Sequence, residues 1–179
     1  MKVMLKVFVF VFISCGIVNA QPSFPESWVG KYQGDLMIYG VDSVRMKVDM
    51  KLEILKTAKD SIYDWTLIYD MNGKKDVRAY SLKVVDHKKG HYQIDERNSI
   101  IIDGYLHNYN VFTSFFKVSN SYIIATYTKK EDSLIFEIIA GDGEAVTITG
   151  NTIHGEEETP EVISYLVNGR QKAILNKVE

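Results

Sequence analysis

Three side chains in the stretch over 76–107 have the types and spacing to do chemistry together: Arg78, Tyr80 and Glu96. Arg78 and Tyr80 stand two apart, so on a β-strand they leave the same face, which Leu82 and Val84 continue. A guanidinium beside a phenol offers hydrogen-bond donors, and a carboxylate opposite them offers an acceptor or a base. A turn over 87–90 that pairs Val84 with Tyr92 also sets Leu82 against Ile94 and Tyr80 against Glu96. The facing pairs then agree in character, which supports this register. Arg78 falls diagonally from Glu96, within reach of a charge-assisted hydrogen bond.

That constellation supports three uses. An Arg and a Glu facing a dry interior need partners, because an unpaired buried charge is costly, so the group reads as a structural ion pair tied by a tyrosine. It equally reads as the polar end of a site for an apolar or amphipathic small molecule, with Trp65 and Tyr69 as aromatic wall. Glu96 with Tyr80 could also serve as an acid–base pair. The sequence leaves the first two readings open and gives the third the least support. No G-x-S-x-G and no phosphate-cradling glycine loop occurs. His87, His91, His107 and His154 have no metal-ligand spacing, so neither a metal nor a cofactor is expected. The acidic run over 156–158 reads as a solvated loop.

These residues need strands to position them. Over 44–54, Val44, Met46, Val48, Met50, Leu52 and Ile54 alternate with Arg45, Lys47, Asp49, Lys51 and Glu53. Lys, Met, Leu and Glu favour helices, but a helix would scatter these apolar residues all round its surface, so the period of two predicts a strand with one dry face. Before it, Trp28, Gly30, Tyr32, Gly34, Leu36 and Ile38 share one face, and their glycines suggest close approach of another strand at a seam. Further strands are predicted over 62–71, 77–85, 91–96, 99–106, 111–118, 122–128, 134–140 and 145–149. Asn72-Gly73 is a strong hairpin signal. Gly141-Asp142-Gly143 reads as a turn, 151–161 as an irregular stretch, and 162–177 as a last hairpin turning at Asn168-Gly169, with a short helix starting at Thr159 as the alternative. Sequential hairpins without long crossovers predict an all-β fold: an antiparallel up-and-down β-barrel of about ten strands, with little or no helix.

The N-terminus reads as a leader. Lys2 and Lys6 precede an apolar run over 7–13, and Val18-Asn19-Ala20 offers a cleavage site, so 1–20 is expected to be a signal peptide and 21–179 a single exported barrel domain, periplasmic or extracellular. Ile13-Ser14-Cys15 partly resembles a lipoprotein box, which would make Cys15 a lipid anchor instead; Phe12 argues against it. Loss of two lysines and no acid moves the formal charge from −2 to −4. That balance gives no footprint for nucleic acid, and no apolar run is long enough for a membrane span. With 46% hydrophobic residues and three prolines, the chain is not a disordered linker.

Trp28-Val29-Gly30-Lys31-Tyr32 resembles the aromatic-x-Gly-x-aromatic opening of the fatty-acid-binding branch of the calycin superfamily. The domain is also similar to bacterial secreted proteins described as lipocalin-like, with patterns akin to Arg78-x-Tyr80 and Ile94-Asp95-Glu96. The resemblance implies a meandering barrel with an internal site for a hydrophobic small molecule. The chain departs from those families in three ways. It lacks the lipocalin Gly-x-Trp, only a short turn stands where fatty-acid-binding proteins carry a helical lid, and its Arg-x-Tyr lies mid-chain rather than on the last strand. Fatty-acid binding is therefore not carried over. An exported binder of a small apolar or amphipathic ligand is expected, with a filled envelope module as the alternative and a small barrel enzyme third.

Overall fold

The structure, a computed structural model, describes residues 23–155 and 157–178. The expected leader over 1–20, its Cys15, and Glu156 of the acidic run lie outside the described residues. A single 3-10 turn, Glu26–Trp28, precedes the strands. They are β1 (Gly30–Tyr39), β2 (Val44–Lys56), β3 (Ile62–Met71), β4 (Lys74–Asp86), β5 (His91–Asp95), β6 (Ile101–His107), β7 (Val111–Val118), β8 (Ser121–Lys130), β9 (Ser133–Thr149), β10 (Thr152–His154), β11 (Glu157–Thr159) and β12 (Val162–Val178). Ten of them close an antiparallel barrel in the order β1-β12-β9-β8-β7-β6-β5-β4-β3-β2, and β10 and β11 form a separate small hairpin. This is the all-β up-and-down barrel that the alternation predicts.

Strand β2 shows why periodicity outweighs propensity here. Val48, Met50, Leu52 and Ile54 are buried, and the residues between them face outward. Between β4 and β5 the register pairs Leu82 with Ile94 and Val84 with Tyr92, as the facing characters suggest. Asn72 and Gly73 both take positive φ, 55° and 85°, which a primed two-residue turn requires. At the β1–β12 seam the ladder skips from Gln33–Asn176 to Leu36–Ala173. A Cβ on Gly34, inside that gap, would lie 2.0 Å from the Ile174 carbonyl oxygen. The expected close approach is real, and backbone closes the barrel there.

Two expected turns are not turns. Strand β9 runs straight through 141–143, and β12 runs straight through Asn168 and Gly169 to Val178, so the last hairpin and the alternative helix are both replaced by one long strand. Neither Asn168 nor Gly169 has positive φ, so no primed turn forms. Instead these two segments meet: Val167 pairs with Gly141 and Gly169 with Ala140, with register shifts on either side. The small residues absorb an irregularity in a continuous ladder, a use that local turn chemistry does not distinguish from reversal. The stretch over 151–161, read as irregular, contains the β10–β11 hairpin.

One end of the barrel is solid. The segment ahead of β1 tucks Phe24 and Trp28 inside, 3% and 1% exposed. The Phe24 ring meets Trp28, Tyr92 and Phe112 with centroids 4.6, 4.7 and 5.3 Å away. The Tyr32 hydroxyl donates to the Trp28 carbonyl at 2.9 Å, and the Tyr92 hydroxyl donates to that of Phe24 at 3.3 Å. These bonds satisfy two buried phenols and fasten the plug.

Candidate functional site

The opposite end is open, and an internal cavity of about 120 Å³ lies beneath it. All five residues singled out in the sequence, Trp65, Tyr69, Arg78, Tyr80 and Glu96, line it. Strand β3 supplies Trp65 and Tyr69, β4 supplies Arg78 and Tyr80, and Glu96 follows the end of β5. Because Trp65 pairs with Tyr80 and Leu67 with Arg78, the β3–β4 ladder alone brings four of the five together. Glu96 arrives through the β4–β5 ladder, whose last pair is Ser81–Asp95, one step below Tyr80.

The expected link between Arg78 and Glu96 does not form. Arg78 instead holds Asp76, two residues earlier on the same strand face, with Nε and Nη2 each 3.1 Å from Oδ2. Its Cζ lies 5.0 Å from the centre of the Tyr69 ring, in a cation–π arrangement. Both members of this pair are half exposed, so Arg78 stands at the mouth rather than deep in the lumen. Glu96 belongs to the β5–β6 turn, where its Oε2 accepts from the Asn98 side-chain amide at 3.3 Å and its backbone N–H donates to the Ile100 carbonyl at 3.0 Å. A nearer partner, two residues earlier on the same strand, outcompetes one that must be reached across the ladder.

Below the mouth the wall is aromatic. Tyr127 stands edge-on to Trp65 at 5.0 Å and lies 4.8 Å from Phe136. Burial pushes the Tyr69 phenol up to about 12 and raises Tyr127 further still. Tyr80 is raised too, by burial first and by the Glu96 carboxylate second, with Arg78 opposing. All three phenols therefore stay protonated and able to donate at neutral pH. A Glu–Tyr acid–base pair needs a group poised near the working pH. The environment moves Tyr80 away from that range, so the geometry serves hydrogen bonding better than proton transfer.

Sequence reasoning passed over Asp76, Tyr127, Ser114 and Ala125. Asp76 was legible by its spacing of two from Arg78. The others follow from alternation on β7 and β8, where Phe112, Ser114 and Phe116 share a face, as do Ala125 and Tyr127. No described histidine side chain lines the cavity. His87 instead joins the closed end, its Nδ1 3.0 Å from the Tyr92 hydroxyl. His91 stands 2.6 Å from Asp103 on the outside. A larger hollow of about 570 Å³ lies at the rim by the β3–β4 turn, but its walls, such as Lys47, Asp49 and Asn72, are exposed turn and strand-end residues.

Fold and cavity together define the class: a ten-stranded, closed antiparallel barrel, plugged at one end and open to a small polar-rimmed cavity at the other. Among solved structures it is similar to the S-type phycobiliprotein lyase CPES from Guillardia theta. The TM-score is 0.60, over 89% of this chain and 94% of that chain, at 7% sequence identity. At that identity the likeness is one of fold. No family model and no curated protein matches the chain.

Proposed function

We propose that this protein is an exported binding barrel for a small amphipathic molecule, which inserts one ring or short alkyl group into the cavity and keeps its polar part at the mouth. The observation that carries the reading is convergence: Arg78, Tyr80 and Glu96 ring a largely apolar cavity floored by Trp65 and Tyr127. Size limits the ligand. Drug-sized ligands occupy pockets of ~300–1,000 Å³, whereas an apolar cavity of about 150 Å³ takes a single benzene. A cavity of about 120 Å³ takes one ring, not a whole fatty acid. Protonated Tyr69 and Tyr80 with Arg78 donate, and Glu96 accepts, so the polar part carries both acceptor and donor groups. Export rests on the leader read over 1–20.

Native mass spectrometry of the protein from its own host tests this. A bound small molecule is expected, retained by Glu53→Gln on the outer face of β2 and weakened by Tyr80→Phe. Absence of any co-purifying molecule, together with no binding across a panel of small phenols and carboxylates, sinks the reading. The dense packing of Phe24, Trp28, Tyr32, Tyr92 and Phe112 favours the second reading, a filled envelope module, and that outcome would support it.

A further inference from the structure

The charges around the cavity mouth do not cancel. Of the described residues that line the cavity, Arg78 is the one cation and Glu96 the one carboxylate. Arg78 is already held: its Nε and Nη2 both meet Asp76 Oδ2, and its guanidinium lies over the Tyr69 ring. Glu96 has no comparable partner. Among the described residues no lysine, arginine or histidine forms an ion pair with it, and its side chain accepts one hydrogen bond, from the neutral Asn98 amide at 3.3 Å. Two cations of the same wall are bound elsewhere, Arg97 at 2.6 Å from Asp64 and Lys83 at 2.6 Å from Asp95. Lys74 and Lys75, at the start of β4, are exposed and line no part of the cavity. The mouth therefore carries one unbalanced negative charge. The Tyr80 phenol registers it, since Glu96 is the second cause of its rise, after burial and against Arg78.

We infer that the ligand is a monocationic organic amine, with its ring or short alkyl group in the cavity and its ammonium at Glu96; this rests on the cavity being a binding site. An ammonium brings N–H donors to a carboxylate that lacks a charged partner, and such charge-assisted bonds are the strong ones. The walls favour the same sign. Trp65, Tyr69, Tyr80, Phe116, Tyr127 and Phe136 line the cavity, and aromatic faces carry negative potential that attracts cations. An anionic ligand fares worse on both counts: it must displace Asp76 from Arg78 and lie near Glu96, where like charges repel. Any acceptor beside the ammonium is neutral, such as a hydroxyl, because Arg78 already holds a carboxylate. A hard metal cation asks for about six oxygen ligands, and among the described residues no group of three His, Cys, Asp or Glu is placed to hold one.

Benzylamine, benzyl alcohol and benzoate share one ring and differ in charge, so titration of each by ligand-observed NMR, at neutral pH and low salt, tests the inference. Benzylamine is expected to bind about tenfold more tightly than benzoate, with benzyl alcohol between them. Glu96→Gln keeps the length of the side chain and an acceptor for Asn98, and should bring benzylamine down to the level of benzyl alcohol. Asp76→Asn releases the Arg78 charge and should strengthen benzoate. Thermal melts verify that each variant folds. Ala125→Leu, which fills the cavity, separates the two ways of failing. Benzyl alcohol or benzoate binding the wild type as tightly as benzylamine, at a site that Ala125→Leu closes, overturns the amine and leaves the cavity site standing. A benzylamine affinity that Glu96→Gln leaves unchanged does the same. No binding of any of the three, or binding that Ala125→Leu does not weaken, overturns the cavity site and the amine with it.

Discussion

Filling the cavity from within separates ligand binding from stability. Ala125 on β8 stands between Ser114 of β7 and Ile138 of β9, and all three line the cavity. Ala125→Leu adds three carbons, roughly 80 Å³ of side chain, in a protein whose cavity is about 120 Å³. Burying those carbons contributes up to about 2.4 kcal/mol, at ~0.8 kcal/mol each. Rotamer strain against Tyr127 and Phe136 offsets ~1–3 kcal/mol of that. The two nearly cancel, so urea unfolding should place the variant within about 1.5 kcal/mol of the wild type. Binding behaves differently, because a ring can no longer enter. Phenol, which couples one ring to one hydroxyl, is a suitable probe, titrated by ligand-observed NMR and thermal shift. Its affinity should fall at least tenfold, about 1.4 kcal/mol. A folded Ala125→Leu protein that binds phenol as tightly as the wild type refutes the placement of the site inside the barrel.

Other expectations follow from the same geometry. Arg78→Ala should cost only about 1 kcal/mol in urea unfolding, because both Arg78 and Asp76 are half exposed and screened; a loss of several kcal/mol would mean a buried pair after all. Gly34→Ala drives a Cβ to 2.0 Å from the Ile174 carbonyl oxygen, and backbone cannot rotate aside, so about 3 kcal/mol or more of stability should go, read as a lower melting temperature. Burial holds the phenols of Tyr32, Tyr69 and Tyr92 at about 12, against ~10 in the unfolded chain. The stability they contribute is whole below pH ~10 and is lost as pH rises through about 12; absorbance at 295 nm should show these tyrosines ionising late, together with alkaline unfolding. The Lys83 ammonium and the Arg97 backbone N–H hold the Asp95 carboxyl below the usual range. Its contribution is present above pH ~4 and fades as acid protonates it, so Asp95→Asn should flatten the acid limb of the stability curve.

Much of this protein was determined by local sequence. The period of two in β2 names its buried face against the pull of helix-forming residues, because amphipathicity over eleven residues outweighs small propensity differences. The matching of Leu82 with Ile94 and Val84 with Tyr92 sets the β4–β5 register, and Asn72-Gly73 sets a turn whose φ values no other pair tolerates as readily. Those rules are short-ranged, and so they also brought Trp65, Tyr69, Arg78, Tyr80 and Glu96 to one end of the barrel. The tertiary structure decided what distance and closure decide. Arg78 turned to Asp76 and the Tyr69 ring because those partners lie beside it once β3 and β4 pair, whereas Glu96 is drawn into its own turn. Asn168-Gly169 stayed extended because β9 offered a ladder partner along its whole length, and a ladder outweighs a turn propensity. Phe24, in the short segment ahead of β1, became the plug because barrel closure left an apolar hole for it. The size of the cavity was settled last, by how completely aromatic side chains from β3, β4, β7, β8 and β9 meet across a lumen, and no single strand carries that information.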